Sequence, residues 1–126
     1  MGKERTSPKS MIMRTRRDMV RAASLGATVT YGHLMKKFRL SRGRPLSKLI
    51  GELDAAEYSK GAPGFAAIIV RKDTGLPGGG YFCDDRLPAI LRRSSRRATD
   101  PRLSPVEITR VREEQRRIWA FYRAGS

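Results

Sequence analysis

Cysteine and histidine are almost missing from this chain: Cys83 and His33 are each the single residue of their type. One cysteine excludes an intrachain disulfide and fits a reducing compartment. One cysteine and one histidine, without ligand spacing around them, exclude a structural zinc site that does without carboxylates. No apolar run approaches the roughly 18 residues that a membrane-spanning helix needs. The opening stretch MGKERTSPKSMIM is positively charged but lacks a following apolar region, so no secretory signal is expected. Walker, dinucleotide-fingerprint and Ser-His-Asp patterns are absent, and no internal repeat is visible. Hydrophobic residues make up 39% and aromatic ones 7%. The first figure lies below the usual share of about 45–50%, so a compact core with some residues outside it is expected.

The most informative shortage is of acid. Twelve Asp and Glu stand against 27 Lys and Arg, leaving a formal charge of +15 over 126 residues. The isoelectric point is about 11.2. So much like charge repels itself, and a polyanionic partner explains it. Nucleic acid is the commonest such partner, with a domain pI above about 9 as its footprint. A basic surface kept for solubility explains less, because acidic residues serve solubility better. The expected partner is double-stranded DNA, with structured RNA as the alternative; no membrane, cofactor or metal is expected.

The length is that of one domain. Residues 1–9 are polar and are expected to form a disordered N-terminal arm. Ser7-Pro8 reads as an N-cap with proline in the first turn, opening a helix that runs to about Leu25. Ile12, Met19, Val20 and Ala23 give it an apolar stripe, and Gly26 stops it. Thr28 to Tyr31 reads as a brief strand, while Thr30 is also a good N-cap for a second helix from Tyr31 to about Phe38. Leu34, Met35 and Phe38 would face inward. An arginine-bearing turn, Arg39 to Arg44, leads to Pro45 and a third helix ending near Ser59. There Leu46, Leu49, Ile50 and Leu53 fall at i, i+3, i+4 and i+7, and Gly61 is placed to end it.

Phe65 to Val70 is short, apolar and partly β-branched, which predicts a strand. Residues 71–80 form a glycine-rich loop, and Tyr81-Phe82-Cys83 is expected to return as the antiparallel partner of a glycine-tipped hairpin. Residues 86–102 are arginine-rich and read as a second nucleic-acid contact, with Leu87, Ile90 and Leu91 suggesting a short helix. Ser104-Pro105-Val106-Glu107 is a capping-box start for a last helix reaching about Tyr122. Trp119, Phe121 and Tyr122 could stack on bases, but anchoring of the last helix to the core or to a second subunit is the preferred reading.

Three helices followed by a hairpin is the winged-helix order. The expected fold is α+β and mainly helical: a winged helix-turn-helix with a two-stranded wing and an added C-terminal helix. The winged-helix domain would span 10–83, and the arginine-rich segment with the C-terminal amphipathic helix 84–126. In such a domain one helix enters the major groove, about 12 Å wide, while the preceding turn and the wing reach phosphates. Candidate DNA-binding residues are Tyr31, Arg39, Arg42, Arg44, Ser47, Lys48, Arg71, Lys72, Gly78, Gly79, Arg92, Arg93, Arg96 and Arg97. The first turn of the third helix suits phosphate because its amides and dipole are positive. Glu52 on the same helix could accept from cytosine but would otherwise repel the backbone. His33 reads as a surface or groove residue, Asp73 as a turn former, and Asp84-Asp85 as strand carboxylates on opposite faces. No catalytic residue is assigned.

The order of signals resembles the DNA-binding domain of the alkylguanine–DNA alkyltransferases and alkyltransferase-like proteins. Val29-Thr30-Tyr31-Gly32-His33-Leu34 looks like that family's approach to its second helix. Gly43-Arg44-Pro45-Leu46-Ser47-Lys48 stands where the family has an arginine-led recognition helix. Ile68-Ile69-Val70-Arg71 precedes a glycine hairpin ending Gly79-Gly80-Tyr81, as the family's active-site strand precedes its own. The likeness covers about residues 10–83. It implies that Tyr31 presses on the target phosphate, that Arg44 enters the duplex where a base is flipped out, and that Arg71 matches the arginine after Pro-Cys-His. The reactive cysteine position falls at about Ile69, and the flanking proline and histidine are missing too. The family's nucleophile is a thiolate, so the resemblance implies binding without alkyl transfer.

The expected function is therefore non-catalytic duplex-DNA binding, in a regulatory, architectural or modified-base-sensing role. The expected location is cytoplasmic and nucleoid-associated. The alternatives are a structured-RNA-binding protein, or a nuclease or alkyltransferase-like DNA-processing enzyme. A homodimer through the C-terminal helix is the further partner considered.

Overall fold

The computed structural model describes residues 8–40, 44–78, 81, 91 and 103–125. Among these, α1 (Pro8–Ser24), α2 (Tyr31–Phe38), α3 (Arg44–Tyr58) and α4 (Pro105–Arg123) form around two short strands, β1 (Val29–Thr30) and β2 (Ile69–Val70). The fold is α+β and mainly helical.

Local chemistry sets the helix limits. Gly26 and Gly61 end α1 and α3 in left-handed backbone, with φ of 69° and 79°. The amides after them reach back to carbonyls five residues earlier: Ala27 to Ala22 at 2.9 Å and Ala62 to Glu57 at 3.0 Å. These are Schellman closures. The α2 helix ends the same way at Arg39, with φ of 54°. At the start of α4, Ser104 Oγ accepts from the Glu107 amide at 3.2 Å, and the Glu107 carboxylate accepts from the Ser104 amide at 2.8 Å. Both expected readings of Thr30 hold together. It pairs in β1, and its hydroxyl accepts from the His33 amide at 3.1 Å to cap α2.

The expected strand from Phe65 to Val70 is corrected. Only Ile69 and Val70 are extended, and Ala66–Ile68 is a 3-10 turn. The cause is Asp54 of α3, whose buried carboxylate accepts from the amides of Phe65 at 2.6 Å and Ala66 at 3.2 Å. Capture of two successive amides by one carboxylate curls the chain before it can extend. Gly64 permits the approach, because a methyl group there would overlap that carboxylate. Among the described residues β2 pairs with β1, in parallel, with Val29 opposite Ile69 and Thr30 opposite Val70. Tyr81 lies in a helical turn, its amide donating to Gly78 O at 3.3 Å, and Phe82 and Cys83 lie outside the described residues. The winged-helix hairpin is thus not what the described residues display.

The α4 helix closes the core. Met19, Ala23, Leu34, Leu53, Phe65, Ile68 and Ile69 are buried together with Ile118 and Tyr122. Tyr122 stacks on Phe65 with ring centroids 4.8 Å apart, and Trp119 Nε1 donates to Ala27 O at 2.9 Å. A buried polar tie runs through this centre. Glu57 of α3 is fully buried and accepts from Arg16 Nε of α1 at 2.7 Å, with the Tyr122 hydroxyl 2.8 Å away. That hydroxyl also lies 2.7 Å from Pro63 O; with one proton, it serves one acceptor at a time. Removing one partner from a buried charged pair leaves the other uncompensated, so this tie fixes how α1, α3 and α4 meet.

Candidate nucleic-acid interface

A two-residue parallel sheet does little for stability, yet it decides which side chains meet. The register of Thr30 opposite Val70 makes Tyr31 and Arg71 the next residues along two adjacent strands. Tyr31 opens α2 and is half-buried. Its hydroxyl accepts the Gly78 amide at 2.7 Å, a bond spanning 47 residues of sequence. The contact is close: a Cβ at Gly78 would come within 3.3 Å of the Tyr31 ring. Burial raises the Tyr31 phenol above its ordinary value, and the Gly78 amide and Arg71 guanidinium counter part of that rise. Three residues singled out from the sequence are therefore brought together at one end of the sheet.

The loop leaving β2 is a closed turn. The Arg71 amide donates to Leu76 O at 2.9 Å, and the Gly75 amide returns to Arg71 O at 2.9 Å. The exposed Arg71 side chain grips Asp73 through two nitrogens, at 3.0 and 2.7 Å, and this hydrogen-bonded contact holds the Asp73 carboxyl below its ordinary value. The outer side of the turn is stapled to α4. Arg112 Nη1 donates to Gly75 O at 3.2 Å and to Gln115 Oε1 at 3.1 Å, while Gln115 Nε2, fully buried, donates to Ala67 O at 2.9 Å. Arg112 and Gln115 position this loop. Neither was singled out from the sequence, because bonds between a helix and a turn some forty residues earlier leave no local pattern.

The other candidates distribute as follows. Arg39 is exposed at the end of α2, the single non-glycine in left-handed backbone among the described residues. Such a conformation costs a non-glycine residue about 1–2 kcal/mol. Arg44 opens α3, and Ser47 and Lys48 are exposed in its first turn. Lys72 is exposed beside Arg71. Arg42, Gly79, Arg92, Arg93, Arg96 and Arg97 lie outside the described residues. The outward face of α3 also carries exposed Gly51, Glu52 and Ala55. A Cβ on Gly51 would meet nothing within 4 Å.

Ile69, where the resemblance sets the reactive-cysteine position, is fully buried in β2. Among the described residues no group of three or more His, Cys, Asp or Glu is arranged to hold a metal ion. No helix among them is long and apolar enough to cross a membrane. The aromatic side of α4 is taken up by the core. No family model, curated protein sequence or solved structure matches this chain.

Proposed function

We propose that this chain is a non-catalytic, strongly basic duplex-DNA-binding protein, with a winged-helix arrangement resembling the alkyltransferase-like proteins. In this reading α2, the following turn and α3 form the helix-turn-helix, α3 is the helix offered to the groove, and the loop after β2 serves as the wing. The observation that carries the reading is the convergence of Tyr31, Arg71 and Gly78 at the end of the parallel sheet. The Tyr31 hydroxyl keeps its own proton while accepting from Gly78, so it can donate to a phosphate oxygen, and the exposed Arg71 guanidinium can join it by exchanging Asp73 for the phosphate. Two features add support. The outer face of α3 is small at Ser47, Gly51 and Ala55, with Lys48 and Glu52 beside them, which favours close approach of a base edge. Ile69 offers no nucleophile, which favours binding over group transfer.

Fluorescence anisotropy of a labelled duplex tests the reading. Affinity should fall linearly on a log–log plot against salt, with a slope near −0.9 for each phosphate neutralised. Arg39→Ala, Lys48→Ala and Arg71→Ala should each weaken binding to all sequences alike and flatten the slope by about 1. A duplex affinity indifferent to salt would overturn the proposal. Preference for a structured RNA of equal length would replace it with the RNA reading.

A further inference from the structure

The positive charge of this molecule is unevenly neutralised. On α4, Arg110 pairs with Glu113 at 3.2 Å and Arg117 with Glu114 at 3.0 Å, leaving Arg116 and Arg123, seven residues apart, without an acidic partner among the described residues. On α3, Arg44 and Lys48 share the helix with Glu52, Asp54 and Glu57. The α1 helix differs. Its exposed positions are Lys9, Met13, Arg14, Arg17 and Arg21, so all but Met13 are cationic. Its one carboxylate, Asp18, is bound by Lys37 of α2, and Arg16 is turned inward onto Glu57. Arg14, Arg17 and Arg21 fall at i, i+3 and i+7 on one line of the helix. None of the three has an acidic partner among the described residues. Like charges along one line oppose the helix that carries them, and a polyanion laid against them relieves that repulsion.

Two contacts join this line to the surface already described. The Lys37–Asp18 ion pair ties the outer side of α1 to the C-terminal half of α2. The Arg14 guanidinium lies 5.7 Å from the centre of the Phe38 ring, in cation–π range. The line therefore continues the exposed cations at the end of α2, Lys36 and Arg39. We infer that Arg14, Arg17 and Arg21 form a second contact with duplex DNA, gripping the phosphate backbone alongside the segment engaged by α2, α3 and the loop after β2. This inference rests on the DNA-binding reading above and extends it to a helix outside the helix-turn-helix. At 1.5 Å per residue the line is about 10 Å long. A duplex presents a negative charge every 1.7 Å or so of its axis, so about six lie along that length. Such contacts fix register and orientation without reading sequence.

The test compares three full-length proteins: the wild type, an Arg14→Gln/Arg17→Gln/Arg21→Gln variant, and an Arg116→Gln/Arg117→Gln/Arg123→Gln variant that removes equal charge from α4. All six positions are exposed and glutamine is a good helix former, so both variants should keep the wild-type circular dichroism, with melting shifted by no more than a few degrees as repulsion on α1 or the Arg117–Glu114 pair is removed. Duplex affinity is measured by anisotropy from about 50 to 200 mM salt. The α1 variant should show a slope shallower by about 2 to 3, and binding weakened more than tenfold near 100 mM. The α4 variant should keep the wild-type slope. An unchanged slope in the α1 variant, with the wild type still binding, overturns this inference and leaves the function standing. Equal flattening in both variants also overturns it, since net charge would then suffice. A wild type without salt-dependent duplex affinity removes both readings.

Discussion

Gly51 provides the sharpest separation of folding from binding. It lies in the interior of α3, exposed, and a Cβ added to it would meet nothing within 4 Å. A glycine in a helix interior costs about 0.8–1.0 kcal/mol relative to alanine, and no neighbour in the fold demands one here. Gly51→Ala should therefore stabilise the protein by nearly that amount, raising the melting temperature by about 2–5 °C for a domain of this size. If the outer face of α3 approaches nucleic acid closely, the same methyl group should weaken duplex binding by about tenfold, or about 1.4 kcal/mol, through lost fit. No charge is altered, so the salt slope should stay at its wild-type value. Differential scanning fluorimetry and anisotropy on one preparation read both effects. A more stable variant with unchanged affinity would refute the placement of α3 against the groove. A variant that melts lower would refute the claim that this glycine serves no packing need.

Two further outcomes follow from the interior. Gly64→Ala should push away the Asp54 carboxylate, strip the 3-10 turn of two amide bonds and destabilise the fold by roughly 2–4 kcal/mol, read by urea unfolding; a loss below about 0.5 kcal/mol would refute the capping role. The pH limits come from Glu57, Tyr31 and Tyr122. Burial would raise the Glu57 carboxyl, but bonds from Arg16 and Tyr122 outweigh it and hold the group below its ordinary 4.5. Ionised Glu57 thus favours the fold above the unfolded value, and that contribution is lost as pH falls through the folded one. Burial, followed by the Glu57 carboxylate for Tyr122, raises both phenols above 10. The neutral phenols favour the fold up to 10, and their contribution is lost as pH rises through the folded values. Melting temperature should therefore be flat from about pH 5 to 9 and fall at both ends. Glu57→Gln should blunt the acid limb, and an identical acid limb in that variant would refute the assignment.

Helices were legible because their signals are local. Leu46, Leu49 and Leu53 repeat at helical spacing and are the buried apolar positions of α3. Gly26, Gly61 and the Ser104–Glu107 box lie where α1, α3 and α4 are bounded. The sheet was not legible, since two-residue strands show no alternation and their pairing depends on segments far apart. Apolar Phe65–Ile68 satisfied a strand pattern, yet Asp54 overrode it through bonds to Phe65 and Ala66. Of the site, Tyr31, Arg71 and Gly78 were named individually, but their meeting required the parallel register. The α1 arginines escaped notice because cations on an amphipathic helix read as an ordinary wetted side.

The scarcity of acid also bears on how the remaining acid is used. Asp54 and Glu57 are buried and work inside the frame, one capping the 3-10 turn and the other joining three helices. Glu107 caps α4, and Glu113 and Glu114 offset arginines on that same helix. Asp18 is held by Lys37, and Asp73 by Arg71. Among the described residues Glu52, exposed on α3, is the one carboxylate without such a role, and the exposed side of α1 holds none. A chain selected only for solubility gains from exposed acid. Acid drawn inward or used against chosen cations, while the outer line of α1 keeps Arg14, Arg17 and Arg21 unopposed among the described residues, is the distribution expected when the positive surface has a particular place to go. That surface runs from α1 across the end of α2, so the duplex should contact it on one side of the molecule.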